Sequence, residues 1–537
     1  IAADFVTVFT FLFINILALG VTMGLSPNMY RDVGDFSPIS TDVIIIGGGA
    51  TGAGIARDCA LRGINCILLE RRDIATGATG RNHGLLHSGA RYAVNDQESA
   101  EECIKENKIL RNIARHCVDE TEGLFITLPE DSLDYQKTFI ESCTKSGIEA
   151  VAIDPKLAQI MEPSVNPNLV GAVVVPDGSI DPFRLTASNV MDATENGAKM
   201  FTYCEVKSLI REGGKVIGVD VYDHKNRVNR KFFAPLVVNA GGIWGQGIAE
   251  YADLKIKMFP AKGALLVMGH RINKMVINRC RKPADADILV PGDTICVIGT
   301  TSSRIPYDQI DNMEVTPEEV DILFREGEKL APSLRHTRVL RAYAGVRPLV
   351  ASDDDPSGRN VSRGIVLLDH AERDGLDGFI TITGGKLMTY RLMAEWATDL
   401  VCKKLNKTAR CTTAERPLPG SETNQKVISL PSTIRYSAVY RHGSRATRLL
   451  DKERLDRSMV CECEAVTAGE VRYAVDELNV NNLVDLRRRT RVGMGTCQAE
   501  LCACRAAGLM HRFEVATPRQ STTQLTSFME ERWRGIE

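Results

Sequence analysis

Three sets of residues in this chain have types and spacings that could do chemistry. The first is Gly47, Gly49 and Gly52, followed by Glu70. Gly47 permits a tight turn and Gly49 lets backbone approach a pyrophosphate, while Gly52 and Ala56 keep the next helix close to its sheet. Glu70, about 20 residues on, can accept both hydroxyls of a ribose. The second set is Cys461-Glu-Cys463 and, after 33 residues (464 to 496), Cys497-Gln-Ala-Glu-Leu-Cys502-Ala-Cys504. Four thiolates on two short loops, Cys461, Cys463, Cys497 and Cys502, can hold a [2Fe–2S] cluster, with structural zinc as the competing reading. The wider second spacing leaves Cys504 as a spare or competing ligand. The third set mixes cations, His and Tyr with glycine: His87-Ser-Gly89-Ala-Arg91-Tyr92, Arg347-Pro348 and Gly384-Gly385-Lys386-Leu387-Met-Thr389-Tyr-Arg391.

These sets need elements to position them. The β-branched run Val43 to Ile46 is short, as a strand buried on both faces should be. A helix follows the glycines, Gly63 suits its C-cap, and a second apolar strand ends at Glu70. The helix N-terminus offers unpaired N–H groups and the positive end of its dipole to phosphate. The loop from Ala75 to Tyr92, with Arg71 before it and Thr79, Gly80, Arg81, Asn82 and His83 within it, has the density of small residues expected of backbone lying against a cofactor. Residues 99 to 116 read as a helix, and 170 to 184 as a strand, a turn and a helix entry. Val206 is placed to present backbone to an adenine. Phe233 to Asn239 reads as a buried strand running into the turn Ala240-Gly241. Residues 256 to 305 read as antiparallel strands roofing a substrate pocket. Gly384 to Thr389 forms a second glycine turn aimed at anionic or cofactor atoms. Gly469 to Thr490 reads as two short helices around a turn, a helical wrap rather than zinc-ribbon hairpins. The turn Gly493-Met-Gly495 could direct N–H groups at sulfur.

Composition sets the bounds. At 537 residues the chain is long enough for two to four domains. A formal net charge of -2 gives no electrostatic case for nucleic acid. Of fifteen cysteines, ten are scattered from Cys59 to Cys411 and five crowd between Cys461 and Cys504, which suits reduced thiols with one liganded site better than a disulfide framework. Phe5 to Leu25 is an uncharged apolar run of 21 residues, long enough to span a bilayer. A native anchor and a foreign segment are both open readings of it. Residues 1–40 are therefore set apart from 41–405, with 406–455 read as a linker or auxiliary region, 456–515 as the cysteine-bearing domain and 516–537 as a tail. The run Arg487-Arg-Arg489-Thr-Arg491 reads as a solvated helix end, with a docking patch for an acidic partner as the alternative.

The order of motifs resembles FAD-dependent glycerol-3-phosphate dehydrogenases, of the glycine/D-amino-acid oxidase fold group. The features that carry this are the glycine fingerprint, His87 to Tyr92, Ala344-Gly-Val-Arg347-Pro348 and Gly384 to Arg391. The cysteine-bearing C-terminus is similar to the [2Fe–2S] domain of bacterioferritin-associated ferredoxin and narrows the likeness to large catalytic subunits of the anaerobic bacterial enzymes. The resemblance implies an α/β fold: a Rossmann-like FAD domain, an interleaved antiparallel-sheet substrate domain and a small helical iron–sulfur domain. It implies FAD and a [2Fe–2S] cluster as cofactors, and oxidation of sn-glycerol 3-phosphate to dihydroxyacetone phosphate. It implies companion electron-transfer or membrane-anchor subunits, menaquinone or another quinone as indirect acceptor, and a peripheral place at the cytoplasmic face of the inner membrane. Arg91, Tyr92, Arg347, Arg363 and Lys386 would line the substrate site, and guanidinium forks match a phosphate dianion. His87 is the candidate base. Some relatives carry His after the Lys-Gly pair matching Lys262-Gly263, where this chain has Ala264. The alternatives are an amino-acid or 2-hydroxy-acid dehydrogenase and a non-catalytic electron-transfer subunit.

Overall fold

The computed structural model describes residues 36–350, 364–422, 432–450 and 452–533. The apolar run 5–25 and Arg363 lie outside them, so the readings made there find no structural counterpart. Among the described residues no helix is long and apolar enough to cross a membrane.

Val43–Ile46 is a fully buried strand at the centre of a six-stranded sheet. Cys66–Glu70 pairs parallel on one side of it and Leu236–Asn239 parallel on the other. Lys199–Thr202 and Phe379–Gly384 extend the parallel part outward, and Ile365–Asp369 closes one edge antiparallel. Parallel strands must be covered on both faces, which explains their near-continuous apolar sequence. The helix Ala50–Leu61 lies so close to the first turn that a Cβ on Gly52 would stand 1.9 Å from the Gly47 carbonyl oxygen. The same helix crosses Tyr390–Lys404 at Gly54, where an added Cβ would meet Ala394 and Tyr390 at 3.0 Å. Small residues on one helix face thus set the spacing of the layer.

A nine-stranded mixed sheet forms the second layer. Its long strands, Met258–Met268 and Val339–Val350, pair antiparallel from Met258 opposite Val350 to Met268 opposite Val339. Cys296–Gly299 and Ile288–Pro291 continue the antiparallel run, as the sequence predicts for 256 to 305. Gly123–Thr127 and Gly171–Val175 come from an earlier part of the chain and join the same sheet, so its strands alternate along the sequence with those of the first sheet.

The C-terminal part is a small helical unit. Ala468–Glu477 and Leu483–Thr490 are the two expected short helices, each started by a side-chain cap, at Thr467 and Asn482. Residues 432–450 hold the helices Ser432–His442 and Ala446–Leu450, and the tail forms the helix Pro518–Trp533, whose Phe528 is buried in the unit's core.

The arginine run is neither solvated nor a free docking patch. Arg489 makes a two-pronged ion pair with Asp73 at 2.5 and 2.9 Å, and both side chains are at most 2% exposed. Arg488 reaches the same carboxylate at 3.3 Å, and Arg487 stacks on Phe528. Asp73 lies three residues beyond Glu70, so these arginines tie the C-terminal unit to the loop leaving the dinucleotide strand. Charge alone could not distinguish a helix end facing water from one facing a buried aspartate far away in sequence.

Candidate functional site

One cavity of about 1600 Å³ lies between the two sheets. Its floor is the first glycine turn. Gly47 has φ +113°, and a Cβ there would meet the Ala240 carbonyl oxygen at 2.6 Å, so this turn requires glycine. Glu70 accepts the Gly48 N–H at 2.7 Å and the Arg72 N–H at 2.8 Å. Burial pushes its carboxyl pKa up against those two donors. Arg71 lies over the Trp244 ring at 4.5 Å and pairs with Asp311, fixing it in the wall. The Thr79 hydroxyl accepts from the Ala50 N–H at 3.0 Å, which satisfies one donor of the helix N-terminus and brings the 77–83 loop over it. Asn82 braces that loop through the Thr79 carbonyl at 2.6 Å and the Gly84 N–H at 2.7 Å.

Most residues chosen for a cofactor line this one cavity: Gly47, Gly49, Glu70 and Arg71, the loop members Thr79, Arg81, Asn82 and His83, and Val206, Ala240, Gly241, Gly385, Lys386 and Leu387. Gly52, Gly80 and Thr389 act from behind the wall. Gly80 lets the loop pack against the Ala75 carbonyl, where a Cβ would stand 2.1 Å away, and the Thr389 hydroxyl accepts the Lys386 N–H at 2.9 Å. A flavin adenine dinucleotide fits this cradle: bare backbone where the pyrophosphate must approach, a carboxylate for ribose, and a strand end at Val206.

The cations meet in the same cavity. His87, Arg91, Tyr92, Arg347 and Lys386 all line it. The Arg347 guanidinium donates to the Thr300 hydroxyl, to the Thr301 carbonyl at 3.1 Å and to the Lys262 carbonyl at 3.4 Å. Arg91 donates to the Ala284 carbonyl at 3.0 Å and pairs with Asp287 at 3.3 Å, while its buried Nη1 has no hydrogen-bond partner among the described residues. The Lys386 ammonium sits 4.8 Å from the Tyr92 ring centre, and that ring is 5.3 Å from the His87 imidazole. Ala264, at the position where some relatives have His, is fully buried and opposite Ala344. Sequence reasoning misses Thr300 and Thr301, which anchor Arg347, and the loop Lys282 to Asp285, which closes one side. Neither stretch carries a motif; each is brought in by strand pairing.

The cysteines form two couples. Cys461 and Cys502 share a thiol hydrogen bond, which draws the Cys461 pKa down to about 6 and pushes that of Cys502 up. Cys463 and Cys497 form the second couple. The backbone N–H of Gly493 is aimed at both Cys461 and Cys502, as the glycine-rich turn predicts. Two couples suit a two-iron centre, in which each iron takes two thiolates. Cys504 is exposed, whereas Cys461 and Cys502 are buried.

Comparison with known proteins agrees with this fold and with its two cofactors. Residues 42–391 match the family of FAD dependent oxidoreductases, and residues 459–512 match the BFD-like [2Fe-2S] binding domain. The chain is 93% identical over 520 residues to an anaerobic glycerol-3-phosphate dehydrogenase subunit of Haemophilus influenzae, covering 96% of this chain and 92% of that protein. It is 71% identical over 503 residues to the subunit of the same name from Escherichia coli, covering 93% of each. Among solved structures, the glycerol-3-phosphate dehydrogenase from Bacillus halodurans complexed with FAD superposes with a TM-score of 0.71 at 24% identity, over 94% of this chain and 97% of that one. The chain belongs to the FAD-dependent glycerol-3-phosphate dehydrogenase family, among its anaerobic members with a C-terminal [2Fe–2S] domain.

Proposed function

We propose that the cavity oxidises the C2 alcohol of sn-glycerol 3-phosphate to the ketone of dihydroxyacetone phosphate, and that Arg91, Arg347 and Lys386 are the residues that select this substrate. The observation that carries the reading is their convergence on the wall of the cavity whose floor is the glycine cradle. When bound, FAD would be held by Gly47, Gly49 and Glu70 and would supply the hydride acceptor, and a cluster would be held by Cys461, Cys463, Cys497 and Cys502 and would supply a one-electron outlet. The chain's own residues do the rest. A phosphate dianion takes two or more charge-assisted hydrogen bonds from guanidinium groups, and the ammonium of Lys386 adds a nearby point charge. Arg347 arrives already oriented, because Thr300, Thr301 and the Lys262 carbonyl fix its plane. His87, buried beside Tyr92, takes the hydroxyl proton as C2 loses its hydride. Tyr92 carries the Lys386 charge over its ring.

A carboxylate substrate needs one fork, whereas three cations suit a doubly charged phosphate. Electrons leaving through the cluster require an acceptor, and the naming of the relatives as subunits points to a multisubunit enzyme. Companion electron-transfer subunits, with a quinone beyond them and a peripheral place at the cytoplasmic face of the inner membrane, complete the proposal.

Replacing Arg347 by Ala tests the substrate assignment. Loss of hydrogen bonds to a charged group costs about 1.5–3 kcal/mol, so kcat/KM for glycerol 3-phosphate should fall by about 10- to 100-fold. Unchanged kinetics with glycerol 3-phosphate, or faster turnover of a 2-hydroxy acid or an amino acid by the unaltered chain, would overturn the assignment.

A further inference from the structure

One face of the strand Val339–Val350 touches both ends of the proposed electron route. Side chains alternate across a strand, so positions 341, 343, 345 and 347 share a face. Arg347 lies in the cavity wall. Gly345 is pressed on the cofactor loop, where a Cβ would stand 2.3 Å from the Arg81 carbonyl oxygen. The Tyr343 hydroxyl donates to the Asn82 carbonyl at 2.8 Å. Arg341 then reaches out of the sheet, its Nε donating to the Gln498 side-chain oxygen at 2.9 Å. Gln498 follows the ligand Cys497, and its amide donates to the Met494 and Gly495 carbonyls at 3.2 and 2.9 Å. Arg341 therefore grips the brace of one cysteine loop.

The other cysteine loop is held on the same side. Glu464, which follows Cys463, accepts from the Thr294 hydroxyl at 2.6 Å and from Arg491 Nε at 2.8 Å. Arg491 also pairs with Asp293 at 2.9 Å and Asp181 at 3.3 Å. Asp293 and Thr294 form the turn between Ile288–Pro291 and Cys296–Gly299, and Asp181 caps the helix Pro182–Glu195. Arg491 has φ +68° at the end of the helix Leu483–Thr490, a conformation rare for a side chain of its size. Cys461 and Cys502 are buried within the core of the C-terminal unit, and the half-buried Cys463 packs against that core from its edge. The couple Cys463–Cys497 is the side of the cysteine centre that is fastened to the substrate sheet.

We propose that Arg341 and Arg491 are positioning residues for electron transfer inside the chain, holding the Cys463 and Cys497 loops against the substrate sheet so that electrons enter the cluster on that side. This rests on the reading above that a flavin and a cluster are linked in series. In each transfer one electron leaves the reduced flavin and one ferric iron becomes ferrous. No bond between heavy atoms forms or breaks in that step; the second electron of each hydride follows once the companion acceptor has reoxidised the cluster, and one proton per electron pair passes from the flavin to water. Tunnelling rates fall steeply with distance, so a loosened loop slows this step and leaves the substrate step alone.

The test mixes the flavin- and cluster-loaded chain anaerobically with glycerol 3-phosphate and follows flavin bleaching and the reduced-cluster EPR signal separately in time. In R341A and R491A bleaching should keep its wild-type rate, while the EPR signal should appear at least about tenfold later, in line with the cost of small misplacements at a distance. R341K, which can still donate to Gln498, should recover most of the rate, and R341A with Q498A together should be no slower than either alone. Hydrogen exchange should show residues 493–500 less protected in R341A, a readout independent of turnover. Should R491A fail to fold, the Arg341–Gln498 set decides alone. Cluster reduction at the wild-type rate in R341A, or a slowing that R341K does not relieve, overturns the proposal. A wild-type chain that substrate does not bleach sinks the substrate assignment instead, and the clamp is then judged by hydrogen exchange: unchanged protection in R341A overturns it.

Discussion

At the scale of single residues, the site depends on positions where one atom too many is excluded. Gly47 combines a left-handed backbone with a carbonyl 2.6 Å from where a Cβ would stand, so both conformation and space demand glycine. Gly47→Ala costs about 1–2 kcal/mol for the backbone alone, before any displacement of Ala240. Purified G47A should carry little or no flavin and melt earlier than the wild type; full flavin occupancy at an unchanged Tm would refute the cradle as drawn. The glycines and Glu70 are legible in the sequence because their spacing is dictated by local geometry over some twenty residues. Arg347 is legible as a candidate, but its anchors Thr300 and Thr301 are not. They are set by the antiparallel pairing of strands more than thirty residues apart in sequence, and no local pattern encodes that register.

Among the elements, strands and helices are read more surely than what they pack against. Both short helices of the C-terminal unit, the buried parallel strands and the antiparallel roof follow from periodicity and caps. The arginine run is not legible in this way, because its helix has the composition of a solvated end while its true partner, Asp73, is buried beside the dinucleotide strand. Region 406–455 shows the same limit: its residues up to Ser421 pack onto the dinucleotide layer. There the His116 ring shares hydrogen bonds with the Ser421 hydroxyl at 2.7 Å and the Ser188 hydroxyl at 3.0 Å. Burial, then the nearby Arg184 charge, holds the His116 pKa well below the ordinary value of 6.5. The sign follows directly. Below pH 6.5 the unfolded chain takes up a proton that folded His116 refuses, so stability present above that pH is lost as pH falls. The loss should approach about 1.4 kcal/mol per pH unit for this residue. Thermal melts of wild type and His116→Gln from pH 7.5 to 5 check it. The variant should lose less stability toward acid, and parallel curves would show that the proton is taken up elsewhere.

For the whole molecule, the account is of two centres in one chain: a cavity that takes electrons in pairs and a cysteine centre able to pass them singly. The sequence reveals both centres separately, since each is built from short motifs. It does not reveal their junction, which is made by residues such as Arg341, Thr294, Glu464 and Arg491 that belong to neither motif. The most direct measurement is anaerobic addition of glycerol 3-phosphate to the purified chain, followed by visible absorption and low-temperature EPR. The account predicts bleaching of the flavin together with a reduced [2Fe–2S] signal. A flavin that stays oxidised with glycerol 3-phosphate yet is reduced by dithionite would contradict it.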